Sequence, residues 1–314
     1  MNAGSGLAGR GYAMAFGGAI AFSGKAIIAK LLYRNGIDAL AAVALRMLLA
    51  YPFFFAMAWW GGRGRQPLAP QDRVRVIVLG ITGYYLASVL DFAGLQYVSA
   101  SLERLLLFIY PTVVVLISAA RRHAIVSRRQ ALAMAISYGG VLVAFGSEAA
   151  ASLHAPGAQV AWGSVLVLGS AVSYAVYLVL SGETVGRIGA LRLTGLASGV
   201  ASALCIGQFC ALRPWSAWTQ FPVPIWELSI LNAIVTTVLP MWMVMRAMEL
   251  IGSGPTAQIG MVGPFATMLL AVWILNEPLT PAMLLGTALV LSGIALLARQ
   301  RASAAPPPQT LPDD

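Results

Sequence analysis

Charged residues are scarce in this 314-residue chain: they make up 10% of it, whereas 59% of its residues are hydrophobic. A soluble domain carries about 25% charged residues, because groups that water solvates must cover its surface. The scarcity therefore excludes an ordinary soluble enzyme and a disordered chain. It excludes a nucleic-acid-binding domain too, because the net charge of +9 comes from basic residues scattered between apolar runs rather than from one basic module.

Cysteine and histidine are almost absent, with two of each in the chain. Cys205 and Cys210 lie five residues apart in one apolar run, which places them on different sides of a helix and makes a disulfide between them implausible. Because no Cys-x-x-Cys pair occurs, we expect neither a zinc nor an iron–sulfur site. We expect no cofactor, and the P-loop pattern that cradles nucleotide phosphates is missing from the sequence.

The chain contains many long apolar segments. A helix needs about 20 mostly apolar residues to cross a bilayer, and ten segments meet this requirement. They cover residues 11–32, 38–60, 74–97, 100–120, 128–146, 160–180, 189–211, 225–246, 254–275 and 281–298. The sequence therefore predicts an all-α integral membrane protein with ten transmembrane helices, whose short loops leave no room for a soluble catalytic domain.

The loop arginines and lysines predict how the helices are oriented, because basic residues concentrate in cytoplasmic loops. If the N-terminus is cytoplasmic, the outer segments hold only Lys30, Arg34 and Arg213, and the other loop arginines lie on the cytoplasmic side. We therefore place the chain in the cell (inner) membrane with both termini in the cytoplasm.

The chain also contains an internal repeat. An offset of 153 residues places Pro111 on Pro264, Ser127 on Thr280 and Gly140 on Gly293. Two units of five helices each are predicted, and an odd number of helices makes the second unit enter the membrane from the opposite side, as in many secondary transporters. The predicted parts are an N-terminal tail (1–10), the first repeat (11–146), an outer linker (147–159), the second repeat (160–298) and a disordered C-terminal tail (299–314).

Five charged residues interrupt the apolar spans of the first repeat: Lys25, Arg46, Asp91, Glu103 and Arg104. All five fall in the predicted outer half of the bilayer. Charges within membrane spans are rare, and they usually face the bundle interior or a water-filled cavity. Three positive and two negative charges would suit a zwitterionic or anionic substrate.

The second repeat lacks this charged layer. The positions that match Lys25, Asp91, Glu103 and Arg104 hold Tyr177, Val244, Thr256 and Ala257. Two structural alternatives stay open: Lys25 could pair with Asp91 and Arg46 with Glu103, leaving no charge for a substrate, and Arg104 could extend to the membrane surface.

Aromatic and proline residues supply further candidates. Tyr110, Tyr177 and Trp242 lie nearest the middle of their spans and are candidates for lining a cavity, whereas aromatics near span ends are usually interfacial anchors. Pro111 and Pro264 are candidate hinges, because proline removes one helical hydrogen bond; a packing kink is the alternative.

Small residues and one acidic turn complete the pattern. The pairs Gly195/Gly199 and Gly286/Gly293 allow helices to approach closely, and internal packing is favoured over a dimer. The oligomeric state is otherwise undetermined by the sequence. Glu277 begins the turn before the tenth span, which predicts a carboxylate near a helix N-terminus.

Several of these segments resemble the EamA-like branch of the drug/metabolite transporter superfamily. They are FGGAIAFSGKAIIAKLL, ALRMLLA, LQYVSASLERLLLFIYP, IGSGPTAQIGMVGP and LNEPLTPAMLLGTALVLSGIALL. The last is the most specific, and the first repeat departs from it by placing Ala124 where the second has Glu277. The resemblance implies a ten-helix carrier, in many cases an exporter of amino acids or other small metabolites.

The residues and the resemblance together predict a secondary transporter that exports a small polar metabolite by alternating access. The candidate transport residues are Lys25, Arg46, Asp91, Glu103, Tyr110, Tyr177 and Trp242. The predicted partners are the substrate and membrane lipids, with no nucleic acid; proton coupling through Asp91 or Glu103 and simple facilitated exchange both stay open.

Other functions fit less well. A multidrug exporter of lipophilic cations would meet the wrong sign of charge at Lys25. A lipid-linked substrate flippase would require a lateral opening. An intramembrane enzyme is disfavoured, because neither His123 nor His154 has an identifiable partner for catalysis.

Overall fold

The computed structural model describes residues 3–121, 125–151, 157–251 and 253–304, and within these ranges the regular structure is helical, without a strand. The helices are α1 (Ala3–Arg34), α2 (Ala39–Gly62), α3 (Pro70–Gly80), α4 (Ala87–Leu95), α5 (Ala100–Leu107), α6 (Tyr110–Arg121), α7 (Arg128–Ala151), α8 (Gly157–Ile188), α9 (Ala190–Leu212), α10 (Val223–Ala233), α11 (Leu239–Ile251), α12 (Ser253–Gly260), α13 (Gly263–Leu270) and α14 (Pro281–Ala304). Three π-helical turns, Ile81–Leu86, Ile234–Val238 and Ala271–Leu275, follow α3, α10 and α13, and a 3₁₀-helix spans Trp215–Thr219.

Eight of the predicted spans form helices that are long and apolar enough to cross a membrane. The ninth and tenth contain shorter apolar helices, Gly263–Leu275 and Pro281–Leu297. The ninth is shorter than expected because α12 ends at Gly260 and α13 starts afresh at Gly263. The chain is thus an all-helical multi-pass membrane protein.

All four of the predicted boundaries lie inside helices. Helix α1 begins within the predicted N-terminal tail, α7 and α8 extend into the predicted linker from both sides, and α14 continues to Ala304, within the predicted C-terminal tail. Residues 152–156 of the linker, residues 305–314 of the tail and both histidines, His123 and His154, lie outside the described residues.

Large apolar side chains cover much of the outer surface. On α2, Phe55, Trp59 and Trp60 are each more than half exposed, and Trp273 is 88% exposed. Soluble monomers rarely expose contiguous apolar surface on this scale. These exposed apolar positions are therefore suited to lipid rather than to water.

Irregular backbone recurs at an offset of 153 residues. The π-helical turn that starts at Ile81 is matched by the one that starts at Ile234, in the third and eighth spans. In the fourth span α5 ends at Leu107 and α6 begins at Tyr110, and in the ninth α12 ends at Gly260 and α13 begins at Gly263. Interruptions of this kind have local causes, so their recurrence points to two related units.

Helix starts recur at the same offset. The hydroxyl of Ser127 accepts a hydrogen bond from the Gln130 amide at 3.2 Å, and the Thr280 hydroxyl accepts one from the Met283 amide at 3.1 Å. Each is the N-cap interaction that satisfies a free amide at a helix start. The fifth and tenth spans therefore begin in the same way.

Helix packing repeats as well. The offset of 153 residues places α4 on α11, and α1 corresponds to α8 in the same way. Helix α1 packs on α11, and its counterpart α8 packs on α4, the counterpart of α11. The same contact therefore occurs once in each direction between the two units. At these contacts Gly17 faces Met243 and Gly169 faces Leu90. The remaining large contacts join matched partners, α2 with α9 and α7 with α14.

The contact between α7 and α14 uses the predicted small residues. Gly140 faces the backbone of Gly286 and Val290, and Gly293 faces Ala133 and the Ser137 backbone. In the same way, Gly195 of α9 faces the backbone of α2. These glycines therefore serve packing within the chain, as the sequence favours.

The helix ends that were predicted to share a membrane face do lie together. On the predicted cytoplasmic side Arg187 pairs with Asp72 at 2.7 Å, and Arg192 donates to the Gln66 carbonyl at 2.9 Å. On the opposite side Arg213 pairs with Asp38 at 2.5 Å.

The two neighbouring glycines of α7 provide a matched test of this packing. A Cβ at Gly140 would lie 2.6 Å from the Gly286 carbonyl oxygen, whereas one at Gly139 meets nothing within 4 Å. Both substitutions raise helix propensity equally, so we expect Gly140→Ala to destabilise the protein by about 1–3 kcal/mol through the clash and Gly139→Ala to leave it as stable or slightly more stable. Thermal unfolding in detergent measures both, and equal melting temperatures would contradict the observed packing.

Candidate functional site

A buried group of charges centres on Lys25 of α1. Its ammonium donates a hydrogen bond to Asp91 Oδ2 of α4 at 2.5 Å and lies 3.8 Å from Glu103 Oε1 of α5. Glu103 is 0% exposed and Asp91 2% exposed. One ammonium thus faces two carboxylates, and Asp91 Oδ1 and both Glu103 oxygens have no hydrogen-bond partner among the described residues. Buried polar atoms are normally satisfied, so these acceptors can receive a proton, a water molecule or a ligand.

Arg46 of α2 is buried without a carboxylate partner. Its Nη2 donates to the Ser88 hydroxyl at 2.8 Å, and its guanidinium lies 4.6 Å from the centre of the Phe92 ring. Within the described part of the chain no ion pair involves Arg46, and its Nε lacks a hydrogen-bond partner. Of the two pairings considered from the sequence, Lys25 with Asp91 is formed and Arg46 with Glu103 is not.

Arg104 of α5 is packed inside the bundle, with 5% of its surface exposed. Its guanidinium lies 5.0 Å from the centre of the Phe22 ring and 5.8 Å from that of Phe108, and it donates to the Ser23 hydroxyl at 3.4 Å. The alternative in which this side chain extends to the membrane surface is therefore wrong.

Two phenylalanine rings each contact two of the three cations. The Phe92 ring contacts Arg46 and Lys25, and the Phe22 ring contacts Lys25 and Arg104. Aromatic faces attract cations. We call this arrangement the charged row: Arg46, Phe92, Lys25, Phe22 and Arg104, with Asp91 and Glu103 beside its centre.

The two phenylalanines are the functional candidates that reasoning from the sequence missed. Phe22 is one helical turn before Lys25, and Phe92 directly follows Asp91. Spacing of three residues places Phe22 beside Lys25 on the helix surface. That spacing was available in the sequence, but phenylalanine is common in membrane spans and gives little signal by itself.

An aromatic cluster adjoins the charged row. The hydroxyls of Tyr84 and Tyr177 are 3.2 Å apart, and the ring of Tyr174 lies 5.7 Å from Tyr177 and 5.3 Å from Tyr110. Tyr110 also contacts Phe108, whose other neighbour is Arg104. The predicted candidates Tyr110 and Tyr177 are therefore brought together and linked to the charged row.

Trp242, the third aromatic candidate, lies on the outer surface rather than in the aromatic cluster. It is 48% exposed on α11, which is a position suited to contact with lipid. The sequence could not distinguish these positions, because every face of a largely apolar helix looks alike.

The two candidate hinge prolines occupy equivalent positions. Pro111 is the second residue of α6 and Pro264 the second residue of α13. Proline fits this position, because the amide of a first-turn residue has no partner within the helix. Next to Pro264, the carbonyl of Gly263 accepts a hydrogen bond from the Ser23 hydroxyl at 3.0 Å, which ties this break to the charged row.

Two carboxylates hold the start of α5. Glu277 accepts hydrogen bonds from the Ala100 amide at 2.8 Å and the Ser101 hydroxyl at 2.9 Å, and Glu148 accepts one from the Ser99 amide at 2.6 Å. The sequence predicted a carboxylate near a helix N-terminus at Glu277, but the helix it holds is α5 rather than α14. This contact joins the two halves of the chain next to Glu103.

Comparison with known proteins identifies the family to which the chain belongs. The model of the EamA-like transporter family matches residues 9–146 and again residues 161–299. The chain belongs to the EamA-like transporter family. It is therefore a transporter rather than an enzyme by family, a permease of the drug/metabolite transporter superfamily as the sequence motifs indicated.

Individual relatives agree with this membership. A Bacillus subtilis (strain 168) protein named "Uncharacterized transporter YcbK" is 31% identical over 277 residues, which cover 86% of each chain. One solved structure, a "Crystal structure of protein", is 20% identical with a TM-score of 0.61, over 93% of this chain and 98% of that one. At this identity the second likeness shows the fold alone.

The contact between the halves of this EamA-like chain can be tested at Glu277. Glu277→Gln removes the negative charge that faces the α5 N-terminus, and we expect it to lower stability by about 1 kcal/mol. The matched control is Glu249→Gln, whose carboxylate forms an exposed pair with Arg246 and should matter little. Thermal unfolding compares them, and an unchanged melting temperature for Glu277→Gln would contradict a stabilising role.

Proposed function

We propose that the chain is a secondary transporter that exports a small polar metabolite bearing a carboxylate, an amino acid or a related zwitterion or anion, across the cytoplasmic membrane. The observation that carries this proposal is the charged row. Within it two guanidinium groups, those of Arg46 and Arg104, are buried and form no ion pair among the described residues. Guanidinium groups bind carboxylates through paired hydrogen bonds.

The substrate class follows from which charges are already engaged. Asp91 balances Lys25, so the ammonium is not free to hold an anion. Arg46 donates through Nη2 to a neutral hydroxyl, that of Ser88, and keeps an unpartnered Nε. A substrate carboxylate would supply the missing acceptor, and the second carboxylate of the row, Glu103, could meet a substrate ammonium.

Alternating access is supported by the recurring geometry. π-helical turns start at Ile81 and Ile234, and helix breaks precede Tyr110 and Gly263. These irregular segments occupy equivalent positions in the two halves of the chain, where the helices can bend. We propose that the halves are inverted repeats of five spans each, so that rocking of one against the other exposes the charged row to each side in turn.

We further propose that Asp91 and Glu103 carry the coupling proton. These two carboxylates share one ammonium, and adding one proton removes their excess negative charge. Proton binding at this position is coupled to the substrate site through Lys25, since all three groups lie within one cluster.

The alternatives differ in what they need from this site. A carrier of lipophilic cations would have to bind beside three buried cations, which is electrostatically unfavourable. An intramembrane enzyme would need a nucleophile with a base, and the charged row supplies ion pairs and aromatic contacts instead.

Flux through reconstituted protein tests the proposal. Liposomes are loaded with amino acids and small organic anions, and the compounds released are identified by mass spectrometry. We expect Lys25→Ala and Arg46→Ala to abolish release of a substrate that the wild-type protein exports, because each removes a cation of the charged row. The matched control Arg246→Ala alters an exposed arginine and should transport normally.

Folding is checked on the same samples by size-exclusion chromatography. Wild-type flux in both variants would remove these residues from the mechanism, and absence of release of any loaded compound would contradict the carboxylate class. An imposed pH gradient should accelerate wild-type flux but not that of Asp91→Asn, and equal responses would rule out coupling through Asp91.

A further inference from the structure

A cavity of about 270 Å³ lies among α2, α4 and α9, and none of its lining residues belongs to the charged row. Its apolar wall includes Leu40, Val43 and Val89, and its polar lining consists of Asp38, Gln96 and Gln208. The volume is below that of pockets for drug-sized ligands and suits a molecule of a few heavy atoms.

The cavity lies at one end of these helices. Towards the other end, on the predicted cytoplasmic side, α2 and α9 pack closely, and a Cβ on Gly195 would lie 2.7 Å from the Phe54 carbonyl oxygen. A Cβ on Gly80 of α3 would lie the same distance from the Ala197 carbonyl oxygen of α9. At the opposite end α2 begins at Ala39 and α9 ends at Leu212, and both residues line the cavity. The cavity therefore opens towards the predicted outer surface.

Its polar lining offers acceptors to a ligand, beside the amide donors of the two glutamines. Gln208 Oε1 is buried and has no hydrogen-bond partner among the described residues. Asp38 already accepts hydrogen bonds from the Ala41 amide at 2.8 Å and from Arg213 at 2.5 Å, but a carboxylate has further acceptor positions. A buried unsatisfied acceptor is unusual, and a ligand with several donors and no acceptor would satisfy it.

The apolar floor sets the orientation of such a ligand. Val43 and Val89 are part of it, and Arg46 follows one helical turn beyond Val43. A cationic group is repelled from that end, and Asp38, although paired with Arg213, still offers acceptor positions at the start of α2. A small ammonium compound fits this lining. Its ammonium group would lie between Gln208 and Asp38, and its short branched apolar body would contact Val43 and Val89.

We propose that this cavity is a binding site for a small primary ammonium compound on the outer side of the protein, separate from the charged row. The Gln208 amide oxygen and the Asp38 carboxylate accept hydrogen bonds from the ammonium. Leu40, Val43 and Val89 enclose the apolar body.

Ligand-dependent melting in detergent free of primary amines tests this site, with isobutylammonium as the probe and isobutanol as its uncharged match. A ligand that binds only the folded state raises the melting temperature with concentration. We expect isobutylammonium to do so and isobutanol not to. Gln208→Leu should weaken the apparent affinity at least about tenfold, whereas the exposed-site control Gln220→Leu should not.

Two further variants keep the test decisive. Ala93→Leu fills the cavity from α4 and should abolish the shift even if Gln208→Leu does not fold. Asp91→Asn alters the charged row and should leave the shift intact. Equal effects of amine and alcohol, an undiminished shift in Ala93→Leu, or a shift lost only in Asp91→Asn would each overturn the proposal.

Discussion

The ion pair between Lys25 and Asp91 is the interaction on which the arrangement of the site depends. A lone ammonium in a membrane span would be costly to bury, and so would a lone carboxylate. Their contact at 2.5 Å fixes α1 against α4, and the nearby Glu103 brings α5 to the same point. Where these three helices meet, the rings of Phe22 and Phe92 both contact the ammonium, and they also contact Arg104 and Arg46 respectively.

A second constraint is the interrupted backbone around this group. Helix α5 begins just before Glu103, and its start is held by Glu148 from one half of the chain and by Glu277 from the other. The carbonyl of Gly263, at the break in the ninth span, accepts a hydrogen bond from Ser23, whose hydroxyl accepts one from Arg104. The charged row therefore lies beside the start of α5 and beside a helix break, and residues of both halves of the chain contribute to its surroundings.

Much of this architecture is readable from the sequence, because length and charge are strong signals within apolar segments. The positions of the spans, the burial of Lys25, Arg46, Asp91 and Glu103, and the matched prolines all followed from such patterns. The partners were harder to predict. Nothing local indicates that Glu277 holds α5, which lies more than 170 residues before it, or that the Phe92 ring contacts two cations. Trp242 was placed in the candidate cavity for the same reason: in a helix that is apolar all round, sequence does not tell which face meets lipid.

The most direct test of the central claim, that the paired charges serve transport rather than stability, is the double variant Lys25→Met/Asp91→Leu. Replacing a buried ion pair by apolar residues of similar size is often neutral or stabilising, whereas removing one partner costs about 3–5 kcal/mol. We therefore predict that Lys25→Met melts well below the wild-type protein, because it leaves the two buried carboxylates Asp91 and Glu103 without their ammonium. The double variant leaves only Glu103 and should melt above Lys25→Met, and we predict that it exports nothing from proteoliposomes. Wild-type export by the double variant would show that the pair only holds helices together, and would contradict the account.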